Sequence, residues 1–302
     1  MELMGCGTAL VTPFRGDTSV DEAALRALVD WQIESGIGFL VPCGTTGEAA
    51  TLSEQEWLRV VAIVAETAAG RVPVFGGCTN NSTQEAVAKV RKLATVSGLT
   101  GVLTANPYYN KPGQEGQYQH FRAIAEAVDL PVLLYNIPGR TGVNLEPATV
   151  LRLAELENVV GIKESSGNIT QITELLTTAP TGFKVFAGDD SVALPVLALG
   201  GAGLVSVASN VIPGEMSTMV RSALAADWEK ARSLNRRYFR LMVAHFWEAS
   251  PGPVKSVLNM IGHGEDVLRL PMTPVTDATR KRLEVLVGEL GLLKTVAAKR
   301  AS

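Results

Sequence analysis

Eight short runs of apolar residues recur along the chain, and a stretch carrying helix signals lies between each pair. The runs are GTALVTPF (7–14), IGFLVPCG (37–44), VPVFGGC (72–78), TGVLTANP (100–107), LPVLLYNIP (130–138), VVGIKES (159–165), FKVFAGDD (183–190) and GLVSVASN (203–210). Their ends fall roughly 30 residues apart early in the chain and closer together later, the size of one strand–helix unit. The intervening stretches open as helices do. Asp21 stands ahead of ALRALVDWQI, and Ser53 with Glu56 three residues on spells a capping box. Ser82 with Glu85 repeats that pattern ahead of AVAKVRKLA.

Runs that are apolar without alternation belong to strands buried on both faces, and so to a parallel sheet covered by helices. About eight of them in series predict an α/β fold of the closed (β/α)8 TIM-barrel type. A doubly wound open sheet is the competing architecture. Residues 226–302 contain no strand-like run and read as helices: AADWEKARSLNRRYFRLMVAHFWE, then PVKSVLNMIG, then TDATRKRLEVLVGELGLL. The expected organisation is a catalytic barrel over 1–225 and a C-terminal helical extension, 226–302, packed on it. No low-complexity linker separates the two.

Composition and charge narrow the class of partner. With 46% hydrophobic and 19% charged residues the chain is globular rather than disordered. Its formal net charge is −3, with no dense Lys/Arg stretch, which argues against nucleic acid and anionic membranes as partners. The start, MELMGCGTAL, lacks a basic segment ahead of a long apolar one, so no signal peptide is expected. No run approaches the ~18–20 apolar residues of a membrane span. Cys6, Cys43 and Cys78 make an odd count without metal-ligand spacing, which fits reduced thiols. A cytoplasmic protein is the expectation.

Polar clusters stand at the C-terminal ends of the runs: Gly44-Thr45-Thr46-Gly47-Glu48, Asn106-Pro107-Tyr108-Tyr109-Asn110, Tyr135-Asn136-Ile137-Pro138-Gly139-Arg140, Lys163-Glu164-Ser165-Ser166 and Gly188-Asp189-Asp190. In a barrel those ends share one face, the face on which barrel enzymes carry their chemistry. Lys163 follows the apolar stretch NVVGI, which sets its amine in or beside the barrel interior. Burial disfavours an ammonium and leaves a nucleophilic amine, able to form an imine with a ketone. The plainer alternative is a solvated strand-end lysine, or one paired with Glu164. Tyr135 ends the preceding run, so adjacent strands would bring phenol and amine together for proton shuttling; a core tyrosine is the other reading. The Gly44–Gly47 turn suits a small carboxylate. Arg140, in a Pro-Gly-Arg-Thr-Gly loop without an acidic neighbour, would grip a second carboxylate unless it is a surface arginine.

Other features carry less. No histidine is placed to activate Cys43, since His120, His245 and His263 are scattered, and a small buried residue is its expected role. Asp189 and Asp190 lack the further carboxylates or histidines that a metal site needs. Gly200-Gly201-Ala202-Gly203 could serve a phosphate site or close backbone packing.

Taken together, GTTGEAATLS, NPYYNKPGQEGQYQHF, LPVLLYNIPGRTG, VVGIKESSGN, FAGDDSVALP and LRLPMTP resemble the dihydrodipicolinate synthase family, whose members are also called 4-hydroxy-tetrahydrodipicolinate synthases. The likeness spans nearly the whole chain. The GTTGE and Lys163 segments are similar to the wider pyruvate-dependent class I aldolase superfamily, which includes N-acetylneuraminate lyase. The resemblance implies that Lys163 carries a Schiff base with pyruvate and that Thr45 and Thr46 hold its carboxylate. It implies a proton relay of Thr46, Tyr135 and Tyr109, with Tyr109 reaching across a subunit interface. Gly188 and Val205 would line the pyruvate pocket, and Arg140 would bind aspartate semialdehyde, the second substrate. No cofactor or metal is implied beyond the covalent imine, and the expected assembly is a homotetramer, a dimer of dimers. The product belongs to lysine and diaminopimelate biosynthesis.

Two alternatives stay open at this point. One is an aldolase of the same superfamily acting on a 2-oxo-3-deoxy sugar acid, or N-acetylneuraminate lyase; sugar-acid lyases typically lack an arginine at the position of Arg140. The other is a non-catalytic binding protein that keeps the barrel, against which an intact Lys163, Tyr135 and Thr46 set argues. The resemblance also implies a lysine-binding allosteric site at Asn81, Glu85 and Tyr108. Glu54 and Trp57 stand there in place of expected histidines, so lysine feedback is expected to be weak or absent.

Overall fold

The computed structural model describes residues 3–293, and each of the eight apolar runs contains or overlaps one strand. The first half runs β1 (Gly5–Ala9), α1 (Glu22–Glu34), β2 (Phe39–Val41), α2 (Glu54–Ala68), β3 (Phe75–Gly77), α3 (Thr83–Leu93), β4 (Gly101–Ala105), α4 (Gln114–Ala125) and β5 (Val132–Asn136). The second half runs α5 (Pro138–Thr141), α6 (Pro147–Leu153), β6 (Val159–Glu164), α7 (Ile169–Thr178), β7 (Lys184–Ala187), α8 (Ala193–Ala198), β8 (Gly203–Ser206) and α9 (Pro213–Leu224). Then come α10 (Trp228–Ala244), α11 (Gly252–Met260) and α12 (Asp277–Glu289). The helix starts are those the capping residues predict. Asp21 accepts from Ala24 N, Ser53 and Glu56 bond reciprocally, and Ser82 accepts from Glu85 N.

All strand pairs are parallel, in the order β2-β1-β8-β7-β6-β5-β4-β3. A parallel bridge between Leu40 and Val74 joins the two ends of that order. The sheet therefore closes on itself, as a (β/α)8 barrel does and a doubly wound sheet does not. Two apolar layers follow from closure. Inside the barrel, Phe39, Phe75, Leu103, Leu133, Phe186 and Val205 pack together, with the Phe39 and Phe186 rings edge to face at 5.3 Å. Outside it, residues such as Leu40, Val102, Val132, Leu134 and Ile162 pack against the helices. Gly7 makes the inner layer possible, because a Cβ there would lie 2.2 Å from the Phe39 ring.

One irregularity decides which side chains of β6 face inward. Val132 pairs with Val159 but the next residue, Leu133, pairs with Gly161, so Val160 is an extra residue on β6. Val160 packs against the inner layer and Ile162 lies in the outer one. Strict alternation from Val160 would have put Ile162 inside and Lys163 outside. The extra residue resets the parity, as a β-bulge does, and Lys163 comes to lie beside the inner-layer residues Tyr135 and Phe186, its partners across the sheet.

The three helices after the barrel match the predicted ones. α10 lies along α9, and α11 against α12. Among the described residues no helix is long and apolar enough to cross a membrane.

Candidate active site

Lys163 and Tyr135 sit side by side in register on β6 and β5, 6% and 5% exposed. The Lys163 Nζ lies 4.1 Å from the centroid of the Tyr135 ring, over its electron-rich face. The alternative of a lysine paired with its neighbour Glu164 does not hold. Glu164 is fully buried and points the other way, where its carboxylate accepts from Asn136 Nδ2 (3.0 Å), Ser166 N (2.6 Å) and Gln171 Nε2 (3.2 Å). Among the described residues no carboxylate is paired with Lys163. A buried primary amine against an aromatic face, with no counter-ion, is placed to act as a nucleophile.

Gly188, just past β7, presses on the stem of that lysine. A Cβ there would lie 3.0 Å from Lys163 Cγ, 3.1 Å from Glu164 O and 1.9 Å from Ser165 Oγ. Val205, on β8, is fully buried in the inner layer. Asp190 fixes the end of β8: its carboxylate accepts from the Ser206 hydroxyl, Val207 N (3.1 Å) and Ala208 N (3.0 Å). Burial pushes that carboxyl up to about 6, with the three donors pulling the other way. Asp190 is thus occupied inside the protein.

The Thr45-Thr46 turn follows β2 as a compact double turn, with Gly47 N donating to Gly44 O (3.1 Å) and Glu48 N to Thr45 O (3.1 Å). These two N–H groups are used within the turn and are not free for a ligand. Thr46 is buried and Thr45 is exposed. Both ends of the turn are left-handed without being glycine, Cys43 at φ 56° and Glu48 at φ 52°. Each such residue costs about 1–2 kcal/mol relative to ordinary backbone. β3 approaches so closely that a Cβ on Gly77 would lie 2.0 Å from Cys43 O. Cys43 and Cys78 are buried thiols, Cys43 pushed up strongly by burial and Cys78 to about 12, which makes poor nucleophiles of both.

A cavity of about 470 Å³ opens above these residues. Thr45, Leu103, Tyr108, Tyr135, Arg140 and Thr141 are among its lining residues, together with Trp57 and Lys89 and with Ser250, Pro251, Pro271 and Met272 from the C-terminal part. Lys163 and Thr46 are not on its wall; Lys163 stacks on the Tyr135 ring that is. Arg140 sits in α5, exposed, with no ion pair among the described residues, so its guanidinium is available to a carboxylate. Tyr109 stands apart. It is 87% exposed at φ 74°, its N–H held by Thr141 O at 3.3 Å, and its ring touches nothing of the inner site.

Of the predicted allosteric residues, Tyr108 lines the cavity, and Asn81 and Glu85 do not. Asn81 O accepts from Asn110 Nδ2 (2.9 Å), tying it to the loop that carries Tyr108, and Glu85 is exposed in the first turn of α3. Trp57 is buried, its indole donating to Gly77 O (2.9 Å), with Lys89 Nζ 5.6 Å from its ring centre. Glu54 is exposed and paired with Lys92. Gly201 and Gly203 serve packing, since a Cβ on Gly201 would lie 2.7 Å from Val196 and one on Gly203 1.9 Å from Gly5 O. Residues that sequence reading gave no role are Asp190, Ser165, Glu48 and Lys255. A lone lysine inside the apolar stretch of PVKSVL was the available signal for the last of these.

Fold and site together define a (β/α)8 barrel built around a buried lysine, with an unpaired arginine at its mouth. Residues 2–290 match the profile of the dihydrodipicolinate synthetase family, and the chain belongs to it. It is 64% identical over 294 residues to the 4-hydroxy-tetrahydrodipicolinate synthase of Acidobacterium capsulatum, covering 97% of each chain. It is 58% identical over 294 residues to that of Koribacter versatilis, covering 97% of this chain and 98% of the relative. Its fold is similar to a crystal structure of the chloride-inhibited dihydrodipicolinate synthase of Acinetobacter baumannii complexed with pyruvate, with a TM-score of 0.94 at 40% identity, covering 96% of this chain and all of that one.

Proposed function

We propose that this chain is a Schiff-base lyase that condenses pyruvate with aspartate semialdehyde to 4-hydroxy-tetrahydrodipicolinate. The observation that carries the reading is the buried, counter-ion-free amine of Lys163 at 4.1 Å over the Tyr135 ring. An unpaired amine adds to the keto carbon of pyruvate, and loss of water leaves the imine. Loss of a methyl proton gives the enamine, whose terminal carbon attacks the aldehyde of the second substrate. Attack of that substrate's own amine on the imine carbon then closes the ring and releases Lys163.

Each remaining residue has a part in this sequence. Thr45 and Thr46 hold the pyruvate carboxylate, Gly188 and Val205 wall the pocket, and Arg140 takes the carboxylate of aspartate semialdehyde. Thr46, Tyr135 and Tyr109 relay the protons that imine formation and release require. Tyr109 serves the site of a neighbouring subunit. Its near-complete exposure on one protomer supports that reading, and with it a homotetramer made of dimers. Arg140 at the cavity mouth favours a carboxylate-bearing acceptor over a sugar acid. The reaction needs no metal or organic cofactor, and lysine feedback is weak or absent because Trp57 and Glu54 occupy the places of the expected histidines. The barrel runs to residue 225 and the helical extension from 226 onward, in a cytoplasmic enzyme; residues 1–2 and 294–302 of these two spans lie outside those described.

NADPH oxidation with pyruvate, aspartate semialdehyde and the downstream reductase tests the proposal. Turnover that vanishes in Lys163→Ala and collapses in Arg140→Ala is expected. Folded protein without turnover, beside a working reductase, refutes it.

A further inference from the structure

Glu48 and Lys255 form an ion pair with side chains only 2% and 3% exposed, Nζ to Oε1 2.5 Å. Glu48 ends the turn that bears Thr45 and Thr46, whereas Lys255 belongs to α11, more than 200 residues on. The ammonium is pinned on three sides: by Glu48, by Val267 O (2.9 Å) and by the Phe14 ring, whose centre is 4.1 Å away. It is therefore no second nucleophile. Burial draws this lysine down from its ordinary range, while the Glu48 charge pulls it back up. The other Glu48 oxygen accepts from Arg269 N (3.2 Å). The Arg269 guanidinium stacks on the same Phe14 ring at 4.5 Å and bonds Thr18 O, Thr51 O and both Glu56 oxygens.

Buried ion pairs contribute little net stability, because desolvation offsets their attraction, and an apolar pair of similar size would hold a core as well. What the pair supplies is one specified geometry. Glu48 has left-handed backbone, an unfavourable state that persists only where surroundings over-determine it. Its N–H donates to Thr45 O and its C=O accepts from Thr51 N and the Thr51 hydroxyl. The residue is thus gripped by its side chain from the C-terminal helices and by its backbone from the turn. Thr12 Oγ1, donating to Gly47 O at 2.7 Å, closes the same turn from β1's side.

We infer that Glu48 and Lys255 are positioning residues that set the pyruvate-binding turn, so that the C-terminal helices take part in substrate recognition without touching substrate. The inference rests on the function proposed above. Three variants test it: Lys255→Met, which keeps a long apolar side chain over Phe14, Glu48→Gln, and the two combined. In the coupled assay each single variant is expected to raise the KM for pyruvate at least tenfold while changing that for aspartate semialdehyde less than twofold. Borohydride trapping of pyruvate on Lys163 at sub-saturating pyruvate should fall in step.

The double variant buries no unpaired charge, so it is expected to fold even where a single variant does not. It should regain thermal stability without regaining the pyruvate KM. Recovery of both, or equal change in the two KM values, would mean a merely structural role and overturn the inference. Wild-type chain that traps no pyruvate would overturn the functional reading and this one with it. A wild type that traps, beside folded variants with unchanged pyruvate saturation, overturns this one alone.

Discussion

Replacing Gly188 by alanine sets a methyl group against the stem of Lys163. Of the three atoms it would meet, Ser165 Oγ at 1.9 Å is the nearest and the easiest to move, since that hydroxyl is buried with no hydrogen-bond partner and can rotate away. Lys163 Cγ at 3.0 Å and Glu164 O at 3.1 Å are harder to displace. Ordinary carbon contacts lie at about 3.5–4.0 Å, so Cγ has to retreat by roughly half an ångström or more. The Nζ three bonds further on shifts by at least as much over the Tyr135 ring. A misplacement approaching 1 Å costs about 10²-fold in rate. The overpacking costs about 1–3 kcal/mol, a melting-temperature fall of roughly 2–5 °C in a chain of this length. The expected variant is folded, somewhat less stable, and about 10²-fold down in kcat/KM by the coupled assay. Adding Ser165→Ala isolates the cause. If displacement of the lysine is responsible, the double variant gains stability and little activity; full recovery of rate would refute the argument, as would a wild-type rate in Gly188→Ala itself.

Three further outcomes are expected. Tyr135→Phe keeps the ring beneath the Lys163 Nζ and removes the hydroxyl, so kcat should fall by about 10²-fold or more with the melting temperature nearly unchanged; activity within a factor of three would remove Tyr135 from the relay. Gly77→Ala pushes a methyl to 2.0 Å from Cys43 O and 2.8 Å from Gly44 N, both backbone atoms that cannot swing aside, so a loss of more than about 4 kcal/mol is expected. A circular-dichroism melt within about 3 °C of wild type would contradict that. The two bonds from Arg269 hold the Glu56 carboxyl at about 2, below its unperturbed 4.5. The stability this carboxylate supplies is therefore present above pH 4.5 and lost as pH falls toward 2. Urea midpoints measured from pH 5 down to pH 3 should drop more steeply for wild type than for Glu56→Gln, and parallel curves would refute it.

Much of this architecture was legible because its signals are local and repeated. A strand covered on both faces has to be apolar throughout, and Ser53 with Glu56 announces α2 within four residues. The lysine, tyrosine and arginine could be read as a site because parallel strands bring their C-terminal ends to one face. What stayed hidden depends on distant partners or on backbone. Lys255 and Glu48 are 207 positions apart, and no pattern within either segment names the other. The role of Asp190 in clamping β8 depends on Ser206 and the two N–H groups after it, beyond the turn of the chain. Nor does VVGIKES reveal that Val160 is an extra residue, since four apolar or small positions in a row read alike in either register.

That extra residue makes which side chain β6 presents beside Tyr135 a question of counting. Shorten β6 by one position ahead of Lys163, and every side chain after the cut exchanges faces. Glu164 would then turn toward Tyr135, and Lys163 toward Asn136 and Gln171. The altered chain would lack a single residue and still present an acid where an electrophile-seeking base had stood. Two unrelated chemistries are thus one codon's length apart in this strand, and homologues of this barrel with indels in β6 would have to conserve that count before they could conserve the lysine.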